Sequence, residues 1–148
     1  MTWTSGTRTL QDLIPKTLDE VIQENRDKCQ LALATDEELD ALGCDIAETQ
    51  CRHTLTHWQI IVIHVTARDG TRAASPRLVG RVLETNQPWM TSEVTCIDAA
   101  KWMVRTANSA YRVVGPRVEE RELDFMHICA TLNVWGVGRL LGVPPFFY

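Results

Sequence analysis

The sequence predicts an α+β domain with an N-terminal helical hairpin, a small antiparallel five-stranded sheet or partial barrel, and a C-terminal helix. Residues 1–57 carry apolar side chains at helical spacing behind two capping motifs. Residues 58–115 change to short β-branched runs separated by turn residues, and residues 116–148 return to helical spacing. Because 148 residues suit one hydrophobic core, we expect residues 1–148 to form a single domain.

Two helices are predicted to form the N-terminal hairpin. Each begins with a capping box, in which a threonine and a glutamate three residues later satisfy each other's backbone N–H groups: Thr17 with Glu20, and Thr35 with Glu38. The first helix is expected near residues 18–33, where apolar side chains recur on one face. The second is expected to continue to about residue 57, although Gly43 weakens its middle.

The middle of the chain is predicted to be a sheet. In Trp58–Thr66, residues of both parities are mainly apolar, which is typical of a central strand covered on both faces. Asp69-Gly70 is a turn signal. Short linkers separate four further predicted strands, at Leu78–Glu84, Trp89–Ile97, Trp102–Thr106 and Tyr111–Val114. Five short strands with tight connections predict a meander or a partly closed barrel.

A last helix is predicted after the sheet. Gly115 ends the final strand and Pro116 is expected to open the helix, since proline suits the first helical position. The chain finishes with Phe146-Phe147-Tyr148. We expect these aromatic rings to dock on the body of the domain; the alternative is that they anchor a partner.

The net charge of −4 conceals a division along the chain. Residues 1–57 have five basic and eleven acidic side chains, whereas residues 58–117 have eight basic and four acidic ones. Residues 118–148 have two basic and four acidic side chains. The sequence thus predicts an acidic helical part and a basic β part. The first residues lack the basic and apolar segments of a signal peptide, and no apolar run is long enough to cross a bilayer, so we expect a cytoplasmic protein without a membrane partner.

The cysteines and histidines do not predict a metal site or another cofactor. The five cysteines lack CxxC spacing, and their odd number in a chain without a secretion signal predicts reduced thiols. Cys44, Cys51, His53 and His57 are close in sequence, but on one helix the two cysteines would face away from the two histidines. Buried cysteines and solvent-facing histidines are therefore the favoured interpretation.

The sequence contains no recognisable catalytic motif. It has no nucleophile elbow, no catalytic-cysteine signature and no glycine-rich phosphate loop. The carboxylates between Glu119 and Asp124 suit the first turns of a helix, where they complement its dipole. We therefore expect no enzymatic activity, and an active site assembled across the fold remains the third alternative.

The leading hypothesis is a non-enzymatic module that binds another macromolecule. Separated acidic and basic surfaces favour electrostatically steered association. The most acidic run lies at the start of the second predicted helix, and it is expected to engage a protein with a basic surface through Asp36, Glu37, Glu38 and Asp40. The sequence does not define the oligomeric state.

The alternative hypothesis is a regulator that binds nucleic acid through an arginine-rich β-hairpin. Arg77 and Arg81 share a strand face by parity, and Trp89 or Trp102 is available for base stacking. The full predicted phosphate track consists of Arg68, Arg72, Arg77, Arg81, Arg105 and Arg112. The same arginines could instead pair with the acidic residues of the chain itself.

One stretch of the chain resembles a known pattern. Residues 91–98, TSEVTCID, and 104–111, VRTANSAY, followed by Gly115, are similar to the T-S-x-V-x-x-I-D … V-x-T-x-N-S-x-Y pattern of small uncharacterised proteins of proteobacteria and their mobile elements. The resemblance implies a β fold and assigns no catalytic residue. This sequence lacks the glycine that a tight turn between Asp98 and Val104 would favour. By analogy of class, one form of the leading hypothesis is an inhibitor encoded by a phage or mobile element, such as an anti-CRISPR protein.

Overall fold

The computed structural model describes residues 14–144, apart from the side chain of Arg139. These residues have an α+β architecture. Four short α-helices occur in this part of the chain: α1 Leu18–Val21, α2 Asp36–Ala41, α3 Phe125–Val134 and α4 Gly138–Leu141. Six strands form one sheet: β1 Cys29–Leu33, β2 His53–Thr66, β3 Arg72–Val82, β4 Pro88–Asp98, β5 Met103–Thr106 and β6 Ala110–Val113. The aromatic tail Phe146-Phe147-Tyr148 lies outside the described residues.

The sheet is a meander that closes on itself. Consecutive strands pair antiparallel in the order β1 to β6, and β2 also pairs with β6 in parallel, from His53 opposite Tyr111 to Leu55 opposite Val113. Four chain reversals between β2 and β6 leave these two strands running in the same direction, so the closing pair is parallel. The five predicted strands correspond to β2–β6. The sixth strand, β1, was not predicted and extends the sheet beyond the second half of β2.

Strand β2 is the centre of the sheet, as predicted. Its side chains alternate between two cores, with Ile60 and Val62 on one face and Ile61 and Ile63 on the other. A bulge at His57, whose φ is 50°, shifts the pairing with β3 between its two halves. The bulge lets one long strand pair with β6 at its start and with β1 at its end.

The predicted N-terminal helical hairpin is wrong. Thr17 does cap α1, since its hydroxyl accepts from the Glu20 N–H at 3.3 Å, but the helix ends at Val21. Residues 29–33 form a strand instead, paired with residues 61–65 of β2. The long-range pairing with the exposed edge of β2 outweighs a helical pattern that packing alone would have had to stabilise.

The second predicted helix is also much shorter than expected. The capping box at its start is confirmed, with the Thr35 N–H donating to Glu38 at 3.0 Å and the Glu38 N–H donating to Thr35 at 3.1 Å. The helix ends at Ala41 because the next residues bind β4: the Ile97 N–H donates to the Leu42 carbonyl at 2.8 Å, and the Ile97 carbonyl accepts from the Cys44 N–H at 2.9 Å. His53 and His57 therefore lie on β2, and not on a helix.

The apolar residues form two main cores on either side of the sheet. One fills the barrel, where Leu55, Ile60, Leu78 and Val104 are fully buried. The other lies between the outer face of β1–β4 and the helices, and includes Val21 of α1, Ile61 of β2, Val79 of β3, and Ile128 and Cys129 of α3. The short helices are thus held by burial against the sheet.

A C-terminal helix is present, but Pro116 does not open it. The backbone around Val118 is held extended against β2, because the Val118 N–H donates to the Trp58 carbonyl at 3.0 Å and the Gln59 amide donates to the Val118 carbonyl at 2.7 Å. A turn of 3₁₀-helix at Glu120–Glu122 follows, and α3 starts only after its N-cap, Asp124. None of the helices in the described residues is long and apolar enough to span a membrane.

Candidate partner-binding groove

A groove of about 750 Å³ separates α2 from the turn between β4 and β5. We call it the Trp102 groove and define it by six of its lining residues: Asp36, Leu39, Asp40, Ile97, Trp102 and Arg117. Its walls come from three distant parts of the sequence, so the groove exists only in the folded chain. It is the place where an acidic segment predicted to bind a partner meets an exposed aromatic side chain.

Trp102 is the most unusual residue of this groove. Its side chain is 52% exposed, and its backbone has a φ of 55°, in the left-handed region that bulky side chains rarely adopt. It lies in the turn before β5, and not within the strand as predicted. The turn position that would favour glycine is therefore occupied by an exposed tryptophan. Strained backbone of this kind is concentrated at functional sites.

The turn that carries Trp102 is fixed by the carboxylate of Asp98. This side chain is buried and accepts hydrogen bonds from the Ile46 N–H at 2.9 Å and the Lys101 N–H at 3.2 Å. The Lys101 ammonium group lies 3.7 Å away and also donates to Asp45 at 2.8 Å. These contacts, led by the Ile46 hydrogen bond, hold the pKa of Asp98 below its usual range, so the carboxylate stays ionised at neutral pH.

The indole of Trp58 supports Trp102 from below. The two rings meet edge to face with centroids 6.5 Å apart, and Trp58 is only 6% exposed. The Trp58 N–H donates to the Gly115 carbonyl at 2.8 Å, which fixes this ring at the end of the barrel. Trp102 therefore packs with its edge against a buried ring that is itself held by a hydrogen bond, and the rest of its indole is open to a partner.

The four acidic residues predicted to bind a partner divide into two groups. Asp36 and Asp40 line the groove, and the Asp36 side chain is 92% exposed. Glu37 is exposed on the same helix but does not line the groove. Glu38 does not line the groove; it belongs to the capping box and lies 3.8 Å from His64.

Arg117 is a groove residue that the sequence did not reveal. Its guanidinium lies 3.5 Å from the Asp36 carboxylate, across the mouth of the groove. The sequence placed this position at the start of a helix, whereas it belongs to the extended segment after β6. Asp40 has no ion pair among the described residues, and it remains the free negative charge of the groove.

The floor of the groove includes a covalent link. Cys44, which follows α2, forms a disulfide with Cys96 of β4. The expectation that all cysteines are reduced is therefore wrong for this pair, while Cys29, Cys51 and Cys129 are free. The two cysteines are 52 residues apart in the sequence, so their spacing could not indicate that they form a bond. The disulfide holds the end of α2 against the strand that leads to Trp102.

The six arginines of the predicted nucleic-acid track do not form one free surface. Arg77 and Arg81 share a face of β3, as predicted, but the C-terminal segment covers that face. The Arg77 guanidinium lies 4.8 Å from the centroid of the Trp135 ring, and Arg81 forms an ion pair with Asp124 at 3.3 Å. Arg112 pairs with Glu48 at 3.2 Å. The remaining three lie at different places, with Arg68 and Arg72 at the β2–β3 turn and Arg105 on β5 beside a polar pocket of about 400 Å³.

The described residues contain no group of three or more side chains arranged to hold a metal ion. The buried thiols are poor nucleophiles, because burial raises the pKa of Cys129 to about 12 and also raises that of Cys29. Burial lowers the pKa of His127, against the opposite effect of the nearby Asp124 carboxylate.

No family model, no curated protein and no solved structure matches the chain.

Proposed function

We propose that the chain is a non-enzymatic interaction module that takes a basic segment of another protein into the Trp102 groove. The observation that carries the proposal is the exposed indole of Trp102, held in a left-handed backbone conformation beside the carboxylates of Asp36 and Asp40. Tryptophan is one of the residue types enriched among those that carry most of the binding energy of a protein interface.

The chemistry of the groove favours a partner that offers an arginine or lysine next to an apolar side chain. A cation above the Trp102 ring would gain a cation–π interaction and would also face Asp40. The apolar side chain would lie against Leu39 and Ile97, which line the same groove. The exposed carboxylates would steer the approach of the basic partner, so association should weaken as salt is added. An inhibitor of phage or mobile-element origin, such as an anti-CRISPR protein, is one form that this proposal can take.

Affinity capture from the native host tests the proposal, with the full chain and its Trp102→Ala and Asp36→Asn/Asp40→Asn variants as bait. We expect one or more basic proteins to be retained by the wild type and lost from both variants. Glu37→Gln is the matched control, because Glu37 is exposed on the same helix outside the groove. The proposal is wrong if the same proteins bind all four baits equally well.

The nucleic-acid alternative is less favoured because Arg77, Arg81 and Arg112 are engaged within the chain. Labelled duplex and single-stranded DNA titrated at two salt concentrations distinguish the two functions. We expect no binding even at low salt, where phosphate contacts are strongest. Salt-dependent binding that Arg68→Gln/Arg72→Gln abolishes would favour the alternative.

A further inference from the structure

A second groove lies on the opposite side of the sheet from the barrel core, between β1–β3 and the helices α3 and α4. Its volume is about 710 Å³. We call it the Trp135 groove and define it by Leu31, Ile63, Leu132, Trp135, Leu140 and Leu141. It shares no lining residue with the Trp102 groove, so a ligand bound here would be independent of the proposed protein partner.

The walls of this groove keep an unusual amount of apolar surface exposed. Eight large hydrophobic side chains are exposed in the described chain, and four of them line the Trp135 groove: Val65, Trp135, Val137 and Leu140. Leu140 is 66% exposed. Apolar surface concentrated in one concave place is typical of a binding site, whereas single exposed hydrophobic residues are normal.

A half-buried positive charge lies at the edge of this apolar surface. The guanidinium of Arg77 is 4.8 Å above the Trp135 ring, and its Nε donates to Ser75 at 3.0 Å. No carboxylate of the described residues lies within 4.0 Å of it, although Glu93 acts on it from farther away. Partial burial lowers the pKa of Arg77, which shows that the charge is poorly solvated.

Arg77 differs in this respect from Arg81 and Arg112, the other half-buried arginines of the sheet. Arg81 and Arg112 each have a carboxylate partner, at 3.3 and 3.2 Å. A half-buried guanidinium without a carboxylate within 4.0 Å can still gain from an ion pair, and an anion that arrives with its own apolar group would supply the counter-charge for Arg77 and fill the groove.

We propose that the Trp135 groove binds an amphiphilic carboxylate, with a linear hydrocarbon chain on Leu31, Ile63 and Leu140 and the carboxylate against Arg77. The volume lies within the range of small-molecule sites. The lining has the composition of such sites, since it is mainly apolar with a few polar groups that fix orientation. The bidentate geometry of arginine suits a carboxylate.

Titration of the full chain with dodecanoate below its micelle concentration tests the proposal, read by calorimetry and by chemical-shift changes of the Leu140 and Ile63 methyl groups. We expect saturable binding that weakens about fourfold for each methylene removed. The methyl ester of dodecanoate has the same chain without the charge, and we expect it to bind at least about tenfold more weakly. An equal affinity for acid and ester would overturn the proposed role of Arg77.

Variants assign the binding to this groove. Arg77→Gln should reduce the preference for the acid over its ester, and Leu140→Asp should abolish binding. The matched control is Leu83→Asp, because Leu83 is 56% exposed and does not line the groove. Dodecanoate affinity that Leu140→Asp leaves unchanged would overturn the proposal.

Two results that assign the Trp135 groove to another occupant would also overturn the proposal. A dimer that Leu140→Asp dissociates, together with no binding of dodecanoate to the wild type, would assign the groove to a second copy of the chain. Binding that occurs only after removal of residues 145–148 would assign it to the chain's own C-terminus.

Discussion

The half-exposed ring of Trp102 stands edge-on against the buried ring of Trp58, with 6.5 Å between the ring centroids and 79° between the planes. The lower ring is fixed by its hydrogen bond to the Gly115 carbonyl, and the upper one by the turn that Asp98 organises. The sheet therefore presents one large exposed aromatic side chain that a buried ring supports. This arrangement requires a left-handed backbone at Trp102, and a bulky residue adopts that conformation with a free-energy penalty of roughly 1–2 kcal/mol.

This penalty predicts an inverted order of stability at Trp102. Within a regular helix or strand, a glycine variant is less stable to unfolding than an alanine variant by about 0.5–1 kcal/mol. At a φ of 55°, the glycine variant should be the more stable of the two. Urea unfolding of Trp102→Gly and Trp102→Ala measures the difference without involving the lost indole contacts, since both variants lack them. The same pair of substitutions at Arg105 of β5 is the control and should show the usual order. An Ala variant more stable than the Gly variant at Trp102 would contradict the assigned backbone.

A second prediction concerns the ion pair between Arg81 and Asp124. Asp124 is the N-cap of α3, accepts from the His127 N–H at 3.0 Å and lies 3.3 Å from Arg81. Asp124→Ala should lower the free energy of unfolding by about 1–2 kcal/mol, because the cap and the ion pair are both lost. Asp124→Asn keeps a capping oxygen and should cost roughly 0.5–1 kcal/mol. Denaturant unfolding checks both, and equal losses would show that the cap contributes nothing.

The disulfide gives a third prediction. Cys44 and Cys96 are 52 residues apart, so their bond removes much of the freedom of the unfolded chain, and its reduction should lower the free energy of unfolding by about 3–5 kcal/mol. The measurement is urea unfolding with and without a phosphine reductant. Cys44→Ser/Cys96→Ser is the control, since its stability should not respond to the reductant. A wild type whose unfolding midpoint is unchanged by reduction would exclude the bond in solution.

Local signals in the sequence predicted the elements that local interactions determine. The capping box of Thr35 and Glu38 and the apolar run Trp58–Thr66 are both present as expected. The two predicted N-terminal helices are shorter than expected because long-range contacts decide where they end. The spacing of apolar side chains predicts a helix that includes residues 29–33, yet their backbone pairs with residues 61–65 of β2. A single sequence carries no signal for such a pairing.

The candidate site could be predicted only in part, for the same reason. The acidic side of the Trp102 groove was predicted, because Asp36 and Asp40 belong to a helix start that is visible in the sequence. Trp102 was assigned to a strand, although the missing glycine before Val104 was a signal that another residue must adopt the left-handed conformation. Arg117 could not be placed, since its position depends on the hydrogen bonds of Val118 with β2.

The last prediction is a pH dependence that arises from Asp98. Its pKa is lowered in the folded chain, chiefly by the hydrogen bond from the Ile46 N–H, so the unfolded chain binds its proton at higher pH than the folded one. The stabilisation is therefore fully present above the unfolded pKa of about 3.9 and is lost as the pH falls through the lower folded value.

Asp98→Asn should accordingly be less stable than the wild type at neutral pH, and the difference should shrink as the pH falls from about 4 toward 2. Urea midpoints of both proteins across this range measure it. Glu84→Gln, which changes an exposed carboxylate, is the control and should leave the wild-type pH profile almost unchanged. Because Asp98 also fixes the turn of Trp102, Asp98→Asn should weaken partner binding at neutral pH as well. A stability difference that stays constant down to about pH 2 would mean that Asp98 is not held ionised by the Ile46 and Lys101 N–H groups.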